Sequence, residues 1–400
     1  MATIHYAQRP QYMTLTLFSH DEVHLIRATT PEIIRRTWTN NKVGFGRGID
    51  LDTWLAGNDT LHSQDFSVQG RNKIWILVPK SFNIQQPDLD LILSSVETYE
   101  RPGLIASKDQ GVRDVATMSI ASVFTPERYR GQGYASLMMR LLWKTIKQMD
   151  HISFTFLYSA VGPTFYGRIG WAPKRSEEIL IPANHFFGPV TSDAATTTAT
   201  TIRQATLEDV KDQDLTELMN WDATLLRQSM KSWLNKPAAT PSANNRVLTA
   251  VLPEPNCIKW LLARSRFMAR HILKLDPCEI TVLGVKDTQS DSFVLWHHDF
   301  IEDRLVVTRW CLDSKTEEGQ RDMIARAMVQ AAQMEAQRWN LSTVVVWNPG
   351  QSLADLLELG IRQRYEKAIP SLGLVSSPET DPENVEWIMN EKYAWKVFLS

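Results

Sequence analysis

Residues 127–137 read ERYRGQGYASL. Two arginines, Arg128 and Arg130, and two glycines, Gly131 and Gly133, stand directly ahead of an apolar, helix-patterned run, ASLMMRLLWKTIKQM. The stretch before them, MSIASVF at 118–124, has the pattern of a strand. A strand, a glycine turn and the opening of a helix together make an anion site. The glycines reach backbone conformations closed to other residues and let a ligand approach closely. The helix start offers free backbone N–H groups and a positive dipole end, and the arginines add fixed charge. This combination suits a pyrophosphate. No Lys-Ser/Thr pair follows the glycines and the spacing is not GxGxxG, so neither an ATP-binding loop nor a dinucleotide fingerprint is present. A plain strand-to-helix turn carrying surface arginines has the same residues, and on these residues alone both readings stand.

Hydrophobic period places the elements around this turn. Strands are expected at 24–28, 73–79, 89–100 and 115–124, with helices at 31–38 and 51–57. A long helix at 133–149 follows, whose Leu137, Met138, Leu141, Leu142 and Ile146 form one face for a sheet. A strand at 152–159, a helix at 163–169 and a strand at 177–182 end the first domain. Strands that follow one another without intervening helices predict a mostly antiparallel sheet and not βαβ units. Residues 188–201, GPVTSDAATTTATT, carry no apolar period and read as a linker. Beyond it, TIRQATLEDV at 201–210 echoes LIRATTPEII at 25–34: a short strand, Ala-Thr, then the acidic first turn of a helix. Strands at 292–300 and 304–313, a helix at 318–338 and a strand at 342–348 repeat the order hairpin, helix, strand. The chain divides into domains at 1–188 and 202–400, joined by 189–201.

With 400 residues the chain is long enough for two cores. A formal net charge of -2 gives no broad field for nucleic acid or an anionic membrane. The three cysteines, Cys257, Cys278 and Cys311, show no CxxC or metal-ligand spacing, which fits a reduced, intracellular protein. No apolar run approaches the roughly 20 residues that span a bilayer, and no signal-peptide core opens the chain, so the cytoplasm is expected. No metal is expected either. His297 and His298 are adjacent in a strand, point to opposite faces and read as structural.

RYRGQG at 128–133 is similar to the Arg/Gln-x-x-Gly-x-Gly/Ala motif of the GNAT superfamily of acetyltransferases. The strand order also resembles that fold, an α/β (α+β) architecture with a mixed, mostly antiparallel central sheet. FYGRIGW at 165–171 resembles the family's Phe-Tyr-x-x-x-Gly-Phe/Trp segment. More narrowly, SSVETYERPGLI, SVFTPERYRGQGYASLMM and LYSAVGPTFYGRIGW together resemble the fungal lysine N6-acetyltransferase family of lysine catabolism. Its members carry an N-terminal GNAT domain and a degenerate GNAT-like C-terminal domain. The resemblance implies acetyl transfer from acetyl-CoA to an amine, L-lysine, by direct attack. It implies that the segment Arg128, Arg130, Gly131, Gln132, Gly133 and Tyr134 holds the pyrophosphate. Ser122, Val123 and Phe124 would hold the pantetheine arm by main-chain bonds, admitted because the strand after the helix splays away. Ser159 stands where many members carry Asn. Tyr166 matches the tyrosine that protonates the departing thiolate.

A lysine side chain has a pKa near 10.4 and is almost fully protonated at neutral pH, so a proton must be taken from it. No acidic residue lies between 115 and 125. Glu97, on the neighbouring strand, is the base candidate. Strand alternation puts it on one face with Leu91, Leu93 and Ser95, where it either points into a cleft or pairs with Arg101. An amide near Val123 is placed to meet the oxyanion.

At the matching turn of the second half, LDSKTEEGQRDM at 312–323 has one glycine and sets Glu317 and Glu318 where phosphate would need positive charge. Like charges repel there, and no acetyl-CoA is expected in this half. It is expected to close the acceptor site instead. Trp296, Trp310, Trp347, Trp387 and Trp395 read mainly as core. Asp299 and Arg309 are the charges suited to the two ends of an amino acid.

Overall fold

The computed structural model describes residues 17–46, 48–185, 205–235, 246–365, 368–377 and 380–389. The segment 189–201 and Trp395 lie outside the described residues. The first half runs β1 (Val23–Arg27), α1 (Pro31–Phe45), α2 (Leu51–His62), β2 (Asn72–Pro79), β3 (Ser94–Ser107), β4 (Gly111–Phe124), α3 (Tyr134–Ile146), β5 (Ile152–Ser159), α4 (Thr164–Gly167), β6 (Ala172–Pro173) and β7 (Glu177–Pro182). The second half runs β8 (Leu207–Val210), α5 (Leu215–Leu234), β9 (Val247–Val251), α6 (Pro255–Met268), β10 (Gly284–Asp287), β11 (Phe293–Asp299), β12 (Arg304–Cys311), α7 (Glu318–Arg338), β13 (Thr343–Trp347), α8 (Gln351–Leu356), β14 (Arg362–Gln363), β15 (Ile369–Leu374) and β16 (Val385–Trp387). Two helix starts show why the chain turns where it does. The Thr30 hydroxyl accepts from the Ile33 N–H at 3.3 Å ahead of Pro31, and the Asp50 carboxylate accepts from the Thr53 N–H at 2.9 Å. Both satisfy amides that the first turn leaves open.

Two mixed sheets result. The first has the order β1-β2-β3-β4-β5-β15-β6, with β9 pairing β3 and β16 pairing β9. The second has the order β14-β7-β13-β12-β11-β10-β8. In each, one central pair is parallel, β4 with β5 and β12 with β13, and the remaining pairs along the main order are antiparallel. The halves therefore repeat one architecture, as the order hairpin, helix, strand predicts.

They also exchange a strand. The 177–182 strand was expected to end the first sheet, yet β7 pairs with β13 of the second, Thr343↔Pro182 through Trp347↔Glu178. In return β15 fills the slot between β5 and β6 of the first sheet, Ile369↔Ser159 through Leu374↔Phe154. Alternation explains why either sheet can accept such a strand. Ile179 and Ile181 are fully buried in the second core while Leu180 faces outward. The echo of 25–34 at 201–210 is also corrected. LEDV, read as the first turn of a helix, is strand β8, and the helix begins only at Leu215.

The first sheet is covered on both faces. On one, Met138, Met139, Leu142 and Ile146 of α3 pack on Val96, Met118, Ile120 and Leu157. On the other, Trp54, Leu61 and Phe66 join Tyr99, and α6 continues that layer with Trp260 and Leu261 into the core of the second half. The functional groups of β3 that face this second layer are thereby buried between the halves. Trp296, Trp310, Trp347 and Trp387 are all buried. Among the described residues no helix is long and apolar enough to cross a membrane, and no cluster of His, Cys, Asp and Glu is arranged to hold a metal ion.

Candidate active site

The parallel pairing of β4 with β5 runs from Ala116↔Ile152 to Ile120↔Leu157 and stops there. Beyond Ile120 the two strands part. On the other side of β4 the register slips: Glu97 faces Ala121 but Ser95 faces Phe124, so an extra residue bulges from β4. Ser122 sits in this bulge with φ 48°. A non-glycine residue in the left-handed region is held there by its surroundings, and such strain clusters at functional sites. The Phe124 carbonyl accepts from the Ser94 hydroxyl at 2.8 Å. The main chain of Ser122 and Val123 faces the opening with no β5 partner.

Past Phe124 a short turn, Glu127–Tyr129, leads into the glycine loop. Gly131 has φ 78° and Gly133 φ 79°, conformations that cost other residues about 1–2 kcal/mol. A Cβ on Gly131 would project into open space. The first intrahelical bond of α3 is Leu137 N–H to the Gly133 carbonyl, so the N–H groups of Tyr134, Ala135 and Ser136 lack helical partners. The two arginines are each held by a neighbour of the loop. Arg128 donates to the carboxylate of Asp90 and to its carbonyl, both at 2.8 Å, and Asp90 also pairs with Arg36. Arg130 donates to the Thr125 carbonyl at 3.1 Å and lies over the Phe124 ring. Both side chains thus brace the frame of the loop. Gln132 is exposed at the loop's tip. The Tyr134 hydroxyl is held by both backbone groups of Phe18 at 2.9 Å, leaving only its amide for a ligand.

At the far side of the opening, the Ser159 hydroxyl donates to the Gly162 carbonyl at 2.6 Å and accepts from Val161 N–H at 3.2 Å. That side chain shapes the turn into α4 and is fully buried. Tyr166 follows on α4, edge-on to Phe165 at 4.8 Å. Burial pushes its phenol above the ordinary tyrosine range.

Glu97 opens on the other face of the sheet. It does not share that face with Leu93, which packs with Val96 under α3, because the chain makes a helical turn at Leu89–Leu91 and β3 starts only at Ser94. Nor does Glu97 pair with Arg101. The Arg101 guanidinium donates to Glu254 at 3.1 Å, and Arg71 binds the same carboxylate. Glu97 is 3% exposed and accepts from the Tyr99 hydroxyl at 3.0 Å. It lines a small pocket with Asn41, Asn58, His62 and Ser122, and Trp260 supplies a wall from the second half. The Trp260 indole donates to the Leu61 carbonyl at 3.1 Å, which ties α6 to the end of α2. Sequence reasoning missed His62 and Trp260. The single signal for His62 was its place at the end of an amphipathic helix read five residues too short. Asp299 and Arg309 fall elsewhere: Arg309 makes a bidentate pair with Asp222 at 2.6 and 2.7 Å, and Asp299 is held between Arg264 and Arg304.

Bulge, parted strands and glycine loop thus adjoin one opening, and Ser122 links it to the Glu97 pocket. Residues 190–396 match the family model described as the LYC1 GNAT-like C-terminal domain. The chain belongs to this LYC1-like GNAT family. The LYC1-like chain is 24% identical over 314 residues to a lysine acetyltransferase of Yarrowia lipolytica (strain CLIB 122 / E 150), covering 70% of this chain and 74% of that protein. Among solved structures it is similar to a GCN5-related N-acetyltransferase from Kribbella flavida, with TM-score 0.51, 14% identity, and 90% and 74% of the two chains covered. It is also similar to a probable N-acyltransferase from Enterococcus faecalis V583, with TM-score 0.52, 10% identity, and 88% and 72% covered. Both likenesses show the GNAT fold. The LYC1-like chain is an acetyl-CoA-dependent N-acetyltransferase.

Gly131→Ala in the LYC1-like enzyme is expected to weaken acetyl-CoA binding about tenfold, from strain of about 1–2 kcal/mol in the left-handed backbone. Isothermal calorimetry reads this directly. Wild-type affinity in the variant would separate the loop from the cofactor.

Proposed function

We propose that this acetyltransferase moves the acetyl group of acetyl-CoA to the side-chain amine of free L-lysine, in the cytoplasm, as a step of lysine catabolism. The observation that carries the reading is the buried Glu97 carboxylate in a pocket shared with Ser122 of the β4 bulge. A single buried carboxylate in a small pocket attracts one cation. The wall formed by Trp260 favours a free amino acid over a peptide, which would need an open groove. The lysine acetyltransferase of Yarrowia lipolytica supports the choice of lysine among small amines.

In this reading the amides of Gly131, Gln132, Gly133 and Tyr134 hold the pyrophosphate, with Arg128 and Arg130 fixing the loop. The main chain of Ser122, Val123 and Phe124 holds the pantetheine arm, and Ser159 sets the turn that closes it. Glu97 receives the ammonium and draws off its proton. The amine attacks the thioester carbon, an amide near Val123 meets the oxyanion, and Tyr166 donates to the departing sulfur. Residues 1–188 form the catalytic domain, and 202–400, reached through 189–201, close the acceptor site. The second half binds no acetyl-CoA, since Glu317 and Glu318 occupy the start of α7.

CoA-thiol release, measured with L-lysine beside ornithine, spermidine and a lysine-containing peptide, tests the substrate. Saturable release with lysine and little with the others is expected. Turnover of the peptide alone would move the acceptor to protein. Glu97→Gln is expected to lower turnover about a hundredfold or more with acetyl-CoA affinity unchanged; an unchanged kcat would remove Glu97 from the chemistry.

A further inference from the structure

Glu97 has a neighbour that the reaction needs. His62, the last residue of α2, brings Nε2 to 3.6 Å from Glu97 Oε2 while 17% of its side chain stays exposed. This is too long for a hydrogen bond, and Oε2 already accepts from Tyr99. The imidazole is fixed. Its ring lies 4.7 Å from that of Trp38, and the Asn72 side chain at the start of β2 favours its charged form. A neutral imidazole keeps one lone pair, and in the tautomer protonated at Nδ1 that lone pair is on Nε2, facing Glu97. In that tautomer two acceptors face each other across the 3.6 Å gap. A primary ammonium, with three N–H donors, fills such a gap, and hydrogen bonds of this kind tighten only when substrate arrives. Burial lowers the pKa of His62 and outweighs the opposing pull of Glu97 and Asp59, so the ring is neutral at physiological pH and free to accept.

We propose that His62 takes over from Glu97 the proton lost by the acceptor amine and releases it to solvent. This rests on acetyl transfer to an amine in the Glu97 pocket. The step balances: one ammonium N–H bond breaks, one Nε2–H bond forms, and Glu97 is a carboxylate before and after. The imidazolium, stabilised by Glu97 and Asp59, gives its proton to water at the exposed edge, and the amine keeps the lone pair it needs for attack. The titratable groups around the ring are Glu97 and Tyr99 from β3 and Asp59 from α2. Burial and the nearby Glu97 push the Tyr99 phenol far above its ordinary range, so it stays neutral. Trp38 from α1, Asn72 from β2 and Trp260 from α6 bring no charge.

The test compares His62→Gln and Asn72→Ala with wild type in lysine acetylation across acid to alkaline pH, with and without added imidazole. His62→Gln is expected to lower kcat about ten- to a hundredfold with the KM for acetyl-CoA unchanged. It should also abolish the acid limb of the kcat profile, which in wild type lies below the usual histidine range, and recover part of the rate with imidazole. Asn72→Ala should lower kcat by a smaller factor without rescue. Wild-type kcat and an intact acid limb in His62→Gln overturn the proposal, as does a lower kcat with the limb intact and no rescue. If His62→Gln no longer binds acetyl-CoA, Asn72→Ala decides, and an unchanged kcat there is the overturning result. A wild type that acetylates no amine fails earlier, at the transfer reaction itself, and takes this proposal with it.

Discussion

Tyr166→Phe is expected to lower kcat by about ten- to a thousandfold, with acetyl-CoA affinity and thermal stability close to wild type. The ring packs edge-on to Phe165 and Trp171 in the core under α3, and phenylalanine keeps all of that packing. The hydroxyl forms no hydrogen bond among the described residues, so removing it strands no partner. What is lost is a donor at the turn just beyond the parted strands. Burial raises the phenol's pKa above its ordinary value near 10, so the group remains a neutral donor throughout the working range. Wild-type kcat is therefore expected to show no alkaline decline from this group below about pH 10. Single-turnover rates for the two proteins decide the matter, and equal rates would return Tyr166 to the role of a core residue.

Gly373→Val is expected to destabilise the protein by about 3 kcal/mol or more and to remove acetyl-CoA binding with it. Gly373 lies in β15, where an added Cβ would stand 2.7 Å from the Trp143 ring and 2.8 Å from the Gly170 carbonyl. Trp143 belongs to α3 and is edge-on to the fully buried Trp171 at 4.8 Å, so it has no room to yield. Valine must push β15 away from β5 and β6. Because β15 pairs with Ser159, the strain reaches the rim of the cofactor opening. Gly360→Val, where a Cβ meets nothing within 4 Å, is the control. A thermal scan of both variants should show a large loss for the first and little for the second; equal midpoints would mean that β15 is not an integral strand of the first sheet.

The parts of this architecture that the sequence discloses are those set by local rules. The β5 strand at 152–159 and the α7 helix at 318–338 have the expected bounds, because alternation and 3.6-residue period are strong there. Gly131 and Gly133 are legible because their positive φ values tolerate little else. Helix α1 runs to Phe45 and not to residue 38, since its continuation TNNKVGF buries a polar residue, Asn41, where an apolar one was sought. The exchange of β7 and β15 is invisible locally. EEILIP alternates the same way whichever sheet receives it, and IPSLGL, with its proline and glycine, reads as loop. The Glu97 pocket is less legible still. Its wall joins Trp260 to Leu61 across 199 residues, and no spacing rule reaches that far. The pairing of Arg128 is illegible too, because its partner Asp90 stands 38 residues earlier on a turn that reads as strand.

The traded strands also bear on how the protein is born. Ser159 waits for Ile369, 210 residues downstream, which at ordinary ribosomal speed is roughly 10–40 s. Throughout that interval the first sheet has a vacant lane between β5 and β6, and β7 has no partner until β13 emerges. The nascent chain must keep both edges from pairing with neighbours until their partners emerge.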